Sequence, residues 1–530
     1  MAEKLKILVS DKLSEDALKL FETEKNIEYT VKTGLSEDDL AEELKNYDAL
    51  IIRSGTTVTA KVLSKTSRLK IIGRAGVGVD NVDIPAATSK GVIVMNTPDA
   101  NTLSTCEQTI ALIMAAARNT PQANASLKAK KWDRNKLTGI ELYGKTLGVI
   151  GLGRIGTEVA KRMMSFGMKI AGYDPFVTKE KADALGIEVM SVADVIKKAD
   201  IITVHVPKTK DTKGLIGKAQ IETMKPNVIL INCARGGIIE EQDLYEAVKS
   251  GRVMRAALDV FDKEPPFDSP LLELDNVIVT PHLGASTVEA QEKVGTGIIE
   301  QVIEALKGGM VRNAVNIPAI DPELLKEMQP YLNLNEKLGS FVAQLVEGNI
   351  KTVTVEYSGE AASLNMKILT IAALKGLLMP AVGDSVNYVN AEFLCKERGI
   401  EIVQKTTDIK SDYPNLISVT IETDKERRRA FGILSVKKEA RIVKVDTFDM
   451  EIAPEKNMLV YRNQDRPGII GRVGTILGEN SINIASYEVA RSKEEKVAMG
   501  IVTVDSEVPK DITEAIKGVA DIIEIKHIML

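Results

Sequence analysis

Residues 4–98 alternate short apolar runs with amphipathic stretches. KILVSD (6–11), DALIIRSG (48–55), LKIIGRAG (69–76) and VIVMNTP (92–98) predict buried strands. SEDALKLFE, SEDDLAEELKN and AKVLSKT predict helices, and the first two open on a serine followed by acidic residues, as helix N-termini favour. Apolar strands separated by helices form βαβ units, whose parallel sheet is covered on both faces. A long helix is expected over 104–119, followed by a polar arm carrying the single tryptophan, Trp132.

A second alternating series runs from Lys145 to His282: KTLGVIG, MKIAGYD, DIITVHVP, NVILINCAR, RAALDVF and NVIVTPH. Six strands with helices between them is the count of a doubly wound, Rossmann-type dinucleotide fold. STVEAQEKVGTGIIEQVIEALKGG then predicts one long helix closed by a glycine pair, and VNIPAIDP (315–322) marks a boundary. Residues 323–452 change character, with helices at NMKILTIAALKGLL and VNYVNAEFLCKERG and strands at TVTVEYSG, LISVTIETD and RIVKVDTF. Residues 458–530 read β-α-β-β-α-β, the ferredoxin-like order. The pattern gives two α/β units followed by two α+β units.

Length agrees, since 530 residues suggest three or four domains. A net charge of −5 gives no electrostatic reason to expect nucleic acid or an anionic membrane as partner. The N-terminal stretch lacks an uninterrupted apolar run, and nothing approaches the ~20 apolar residues of a membrane helix, so a cytoplasmic location is expected. Cys106, Cys233 and Cys395 lie far apart without a CxxC spacing, which argues against disulfides and against a metal site. Only three histidines are present, His205, His282 and His527, so a mechanism needing imidazole has three candidates.

GLGRIG (151–156) gains meaning from its context: an apolar strand precedes it and a helix begins inside it. Gly151 permits the tight turn, Gly153 lets a pyrophosphate approach the backbone, and Gly156 lets helix pack close to strand. The helix N-terminus offers unpaired N–H groups to phosphates. Asp174 ends the next strand, where a carboxylate accepts the ribose hydroxyls and repels a 2′-phosphate, favouring NAD over NADP.

In a doubly wound sheet, ligands gather beyond the carboxyl ends of the strands. Those ends carry Asp174, Val206, Cys233, Ala234, Arg235, Asp259 and His282, and the nearby loop DKEPP carries Glu264. Hydride transfer from an alcohol carbon needs an acid/base for the hydroxyl proton and a cation for the carboxylate or carbonyl. His282 suits the first role and Arg235 the second, with Glu264 orienting the imidazole. His205 lies within a strand run and reads as structural, and His527 lies three residues from the end.

LGVIGLGRIGTEVAKRMMSFGMKIAGYDP, INCARGGIIEEQDL, AALDVFDKEPP and TPHLGASTVEAQ resemble, in order, the signature blocks of the D-isomer-specific 2-hydroxyacid dehydrogenases. The resemblance implies Arg235, Glu264 and His282 as the catalytic set. It implies Arg154, Ile155, Asp174, Cys233, Ala234, Asp259, Gly284 and Ala285 as cofactor contacts. It also implies a discontinuous, flavodoxin-like substrate domain (1–98 and 286–314) around an NAD-binding domain (99–285). Arg53, Ser54, Val77, Gly78 and Asn101 resemble the family's substrate-gripping residues, although Val77 and Val206 stand where relatives often carry threonine, which leaves only backbone contacts there. The cationic arm KAKKWDR reads either as a reach into a partner subunit or as a solvated loop.

Residues 315–452 resemble the intervening domain of the family's long forms, and 453–530 the amino-acid-binding ACT module, with Asn463, Asp465 and Asn483 as effector contacts. The run 427–429 with Lys437 and Lys438 reads as an anion site or, more simply, a solvated face. The implied reaction is NAD-dependent oxidation of 3-phospho-D-glycerate to 3-phosphohydroxypyruvate, with L-serine as effector, in a homotetramer. A simple glyoxylate or hydroxypyruvate reductase would not need the C-terminal units. A nucleotide-sensing protein without turnover would not need the intact Arg235, Glu264 and His282.

Overall fold

The structure is a computed structural model that describes residues 4–318, 322–407, 413–492 and 496–530. Positions 319–321 of the expected boundary segment, and the first three residues, lie outside the described residues.

The first sheet comprises β1 (Leu5–Val9), β2 (Ile27–Val31), β3 (Ala49–Ile52), β4 (Ile71–Arg74) and β5 (Ile93–Met95), all parallel in the order β2-β1-β3-β4-β5. This is the flavodoxin-like order. Alternate residues feed opposite faces: Leu50 and Ile52 enter one core, Ala49 and Ile51 the other. The apolar pattern gives no strand at β2, for a physical reason. It is an edge strand with only Ile27 buried, so it carries no apolar run.

The helix α1 (Thr102–Arg118) leaves this unit and buries Cys106, Leu112, Ile113 and Ala116 in the core of the second. There lie β6 (Thr146–Ile150), β7 (Lys169–Tyr173), β8 (Glu188–Val189), β9 (Ile201–Val204), β10 (Val228–Asn232), β11 (Val253–Leu258) and β12 (Val277–Val279). The sheet is parallel in the order β8-β7-β6-β9-β10-β11-β12. It has one strand more than expected, because β8 is two residues long and mostly exposed. The order in which strands are added reverses between β6 and β9, which opens a crevice where α2 (Arg154–Met164) begins.

The long helix α3 (Val288–Leu306) returns to the first sheet, with Ile298 and Val302 so close to β4 that a Cβ on Gly73 would meet them at 2.8 and 2.7 Å. Residues 313–316 add a short bridge to β5. The amphipathic pattern around residue 290 thus closes a sheet begun at residue 5.

Two long helices, α4 (Pro322–Leu345) and α5 (Met366–Val382), cover a six-stranded sheet. Its strands β13 (Ile350–Tyr357), β14 (Glu401–Thr406), β15 (Ile417–Thr423), β16 (Arg427–Leu434), β17 (Ala440–Val445) and β18 (Phe448–Ile452) run in the order β14-β13-β15-β16-β17-β18. The sequence reading gives no helix at α4, which contains Pro330 and polar residues that weaken its pattern. Packing against α5 sustains it instead: a Cβ on Gly339 would come within 2.0 Å of the Ala373 carbonyl.

The last unit matches its expected β-α-β-β-α-β order: β19 (Asn457–Gln464), α6 (Ile469–Glu479), β20 (Ile484–Arg491), β21 (Val497–Val504), α7 (Lys510–Lys517) and β22 (Ile522–Met529), with sheet order β20-β21-β19-β22. One face packs on its own helices through Leu459, Tyr461 and Val502. The other contributes Met458, Val460, Met499 and Ile528 to the core of the preceding unit, so both faces of this sheet are covered.

Candidate active site

The nucleotide turn is built by close approach. Gly151 has φ 100°, open to glycine and strained for other residues. A Cβ on Gly156 would lie 1.9 Å from the Gly151 carbonyl oxygen, so any side chain there would push α2 off β6. A Cβ on Gly153 would meet nothing within 4 Å, which leaves the space that a pyrophosphate requires. The first N–H groups of α2, at Arg154, Ile155 and Gly156, have no acceptor within the helix. The Asp174 carboxylate accepts from Leu152 N–H at 3.0 Å and Phe176 N–H at 2.8 Å, which fixes it beside the turn with a lone pair to spare on each oxygen. These features fit an NAD molecule. Arg154 forms an ion pair with Asp99 at 2.6 Å, and Val206 packs over Gly151.

His282 stands on the loop after β12 with φ 54°. Asp259, fully buried, holds that loop: it accepts from Thr280 Oγ1 at 2.5 Å, Leu283 N–H at 2.8 Å and Gly284 N–H at 2.8 Å. Ser104 and Thr105 on α1 donate to the Gly284 carbonyl. Asp259 and Gly284, expected as cofactor contacts, are joined to one another within this loop. Their polar groups are taken up in shaping the loop, and Asp259 has no exposed surface. Ala285 does line the cleft.

His282 Nδ1 lies 2.8 Å from Glu264 Oε2, and Glu264 Oε1 accepts from Phe261 N–H at 3.1 Å. Burial pushes the Glu264 carboxyl up, but those two hydrogen bonds and the nearby Arg235 outweigh it and hold it below its usual value. With Nδ1–H donated to the carboxylate, Nε2 is the ring nitrogen left for a ligand.

Arg235 bridges the two α/β units. Its Nε lies 2.9 Å from Asp80 Oδ2, and its Nη1 donates to the Ala234 carbonyl at 2.7 Å. Its Nη2 lies where a Cβ on Gly78 would be 2.0 Å away, which explains the glycine. The loop at 76–78 is held by Thr97 Oγ1 on Gly76 N–H (2.9 Å) and by Asn96 on the Val77 carbonyl (2.5 Å). Arg53, Ser54, Val77, Gly78, Asn101, Arg235, Glu264 and His282 all line one cleft of about 670 Å³. Asn101 Oδ1 is buried there without a partner. Arg74, Asp80 and Lys208 line it too and are absent from the sequence reading. The strand-end rule, applied to the first sheet as to the second, points to Arg74, which ends β4.

Other candidates fall elsewhere. His205 is buried, 3.0 Å from Thr203 Oγ1, and burial pushes its imidazole down to about 4, so it stays neutral. Burial pushes the Cys233 thiol up to about 12, which leaves it unreactive at neutral pH. Asn463 is buried and donates to the Gln464 carbonyl at 2.6 Å. Asp465 and Asn483 are exposed, the first 3.4 Å from Arg491 and the second donating to Asp505 at 2.6 Å. The run 427–429 divides: Arg427 stays exposed, whereas Arg428 and Arg429 turn toward partly or fully buried acids. Arg428 is buried among Glu426, Asp446 and Glu524, Arg429 pairs with Glu356, and Arg427 with Glu422. Trp132 is 81% exposed. Among the described residues no helix is long and apolar enough to cross a membrane, and no cluster of residues could hold a metal ion.

Residues 110–284 match the family model described as D-isomer specific 2-hydroxyacid dehydrogenase, NAD binding domain. Residues 327–446 match the D-3-phosphoglycerate dehydrogenase intervening domain, and 457–521 the ACT domain. With the glycine turn and the held histidine on one rim, this makes the protein an NAD-dependent oxidoreductase. The chain is 47% identical to D-3-phosphoglycerate dehydrogenase of Methanocaldococcus jannaschii, over 99% of this chain and 100% of that one. It is 43% identical to the Bacillus subtilis protein of the same name, over 99% of each. Among solved structures, D-lactate dehydrogenase from Aquifex aeolicus complexed with NAD and lactic acid is 30% identical with TM-score 0.53, over 59% of this chain and 100% of that one. The chain belongs to the D-3-phosphoglycerate dehydrogenase family of D-isomer-specific 2-hydroxyacid dehydrogenases.

Proposed function

We propose that this protein oxidises 3-phospho-D-glycerate to 3-phosphohydroxypyruvate with NAD, the first step of L-serine formation. The observation that carries the reading is the His282–Glu264 pair facing Arg235 in one cleft, within a chain related to D-3-phosphoglycerate dehydrogenases along its whole length. NAD, when bound, supplies the acceptor for the hydride leaving C2. Gly151, Gly153 and Gly156 with the N–H groups of Arg154 and Ile155 receive its pyrophosphate, and Asp174 its ribose. Val206, Cys233, Ala234 and Ala285 border it through backbone or apolar contact.

His282 Nε2 takes the proton of the C2 hydroxyl, and Glu264 stabilises the imidazolium that forms. Arg235 steadies the substrate carboxylate and the C2 oxygen as its charge develops. Val77 and Gly78 offer N–H groups to the carboxylate, Asn101 a further hydrogen bond, and Arg53 and Ser54 face the phosphate.

L-Serine is the proposed effector, held between paired C-terminal modules by Asn463, Asp465 and Asn483. The proposed assembly is a homotetramer in the cytoplasm, where three free, buried cysteines suit a reducing environment. The test is NAD-dependent turnover on 3-phospho-D-glycerate and a panel of other 2-hydroxy acids, with and without millimolar L-serine. Turnover of D-glycerate without turnover of the phosphorylated acid refutes the substrate. Unchanged rates in serine refute the effector alone.

A further inference from the structure

The loop that carries Glu264 is a thin wall. Phe261 is buried, and a Cβ on Gly236 would lie 1.9 Å from its carbonyl oxygen. Beyond it, residues 262–265, 267 and 268 are exposed. Asp262, Pro265 and Pro266 line the cleft on one side and, on the other, a second cavity of about 300 Å³. With a cavity behind it, the loop takes its place from polar ties.

Among the described residues, Lys208, Glu241 and His282 supply those ties. His282 meets Glu264 itself. Lys208 pairs with the Asp262 carboxylate at 2.6 Å, an ion pair open to solvent that contributes little. Glu241 does more, because its two oxygens reach both ends of the loop. It opens the helix Glu241–Lys249, where a negative charge suits the helix dipole. Its Oε1 accepts from Asp262 N–H at 2.6 Å, and its Oε2 from Ser269 Oγ at 3.4 Å. The first of these, a backbone N–H on a carboxylate, is charge-assisted.

We propose that Glu241 is a positioning residue for the reaction: by closing the 262–269 loop at both ends, it sets Glu264 at hydrogen-bond distance from His282 Nδ1. The assignment rests on the function proposed above, with His282 as base. Without Glu241 the loop is free to relax into the cavity behind it, and Glu264 withdraws from the ring. The imidazole then loses the partner that fixes its tautomer and supports the imidazolium formed when Nε2 takes the C2 hydroxyl proton.

The test measures the single-turnover rate of NADH formation from 3-phospho-D-glycerate, with NAD affinity by titration. It compares the full-length wild type, Glu241→Ala, Glu241→Gln and Glu241→Asp, and repeats Glu241→Ala in a Glu264→Ala background. Glu241→Ala is expected to slow the step about 10–10²-fold, with NAD affinity changed less than about threefold. Glu241→Gln keeps an oxygen for Asp262 N–H and offers an N–H to Ser269 Oγ, so it should stay within about threefold of the wild type. Glu241→Asp is one methylene shorter, cannot reach both ends, and falls between. In the Glu264→Ala background the loss from Glu241→Ala should shrink to less than about twofold, because the residue it acts through is gone. An undiminished rate in Glu241→Ala, or the same fold loss with and without Glu264, overturns the inference. If Glu241→Ala does not fold, a wild-type rate in Glu241→Asp overturns it. A wild type that forms no NADH from the phosphorylated acid overturns the proposed function, and the inference with it. Wild-type turnover that survives Glu241→Ala intact overturns the inference alone.

Discussion

Asp259→Asn separates two roles that the sequence leaves together, touching the cofactor and shaping the histidine loop. Asp259 Oδ1 accepts from Thr280 Oγ1 and Leu283 N–H, and Oδ2 from Gly284 N–H. An amide keeps one acceptor. Its better orientation retains the oxygen at the Oδ1 position and turns its NH₂ against the buried N–H of Gly284. One unsatisfied buried N–H costs about 1–3 kcal/mol, and the bonds that survive at Oδ1, including one from Gln108 Nε2, lose their charge assistance, for a total of roughly 2–4 kcal/mol. The loop relieves that cost by shifting, and His282, held at φ 54°, shifts with it. A misplaced base costs on the order of 10²-fold in kcat. The assay is kcat at saturating NAD, paired with calorimetric titration of NAD. The expected result is a large fall in kcat with NAD affinity changed less than about threefold. A tenfold loss of NAD affinity with kcat intact would refute the loop-shaping role.

Other consequences are equally direct. Gly156→Ala puts a methyl group 1.9 Å from the Gly151 carbonyl, so NAD affinity should fall more than tenfold by titration. Arg428→Ala leaves Asp446 and Glu524 facing one another across the two C-terminal units and should cost about 3–5 kcal/mol, seen as an earlier calorimetric transition. His205 has a folded value of about 4 against 6.5 for the free side chain, so the unfolded chain takes up its proton first. Its contribution to stability is complete above pH 6.5 and is lost as pH falls toward and through about 4. At pH 5.5 the loss is about 1–2 kcal/mol, and His205→Gln should flatten that part of the stability–pH curve.

Much of the fold is legible in the sequence because buried parallel strands carry apolar runs, and because GLGRIG sits between one such run and a helix. His282 is legible by position, as a histidine at a strand end on the nucleotide rim. What escapes is whatever depends on remote partners. β2 is an edge strand, and α4 is sustained by α5 despite Pro330. Arg428 and Arg429 look solvated until their acids arrive from Glu356, Asp446 and Glu524. Asp259 is legible as a strand-end residue, and only its hydrogen bonds to 280–284 show that it also acts on the loop. Asp80 acquires its meaning from Arg235, 155 positions away.

Oxidation of a phosphorylated 2-hydroxy acid in this cleft, with His282 as base, is the step on which the proposed function depends. It is tested most directly by following NADH formation from 3-phospho-D-glycerate while identifying the product, for the wild type and for His282→Ala. One 3-phosphohydroxypyruvate per NADH is expected in the wild type, and a rate lower by about 10²–10⁴-fold in the variant. No NADH from the wild type, or a His282→Ala variant of undiminished rate, would contradict it.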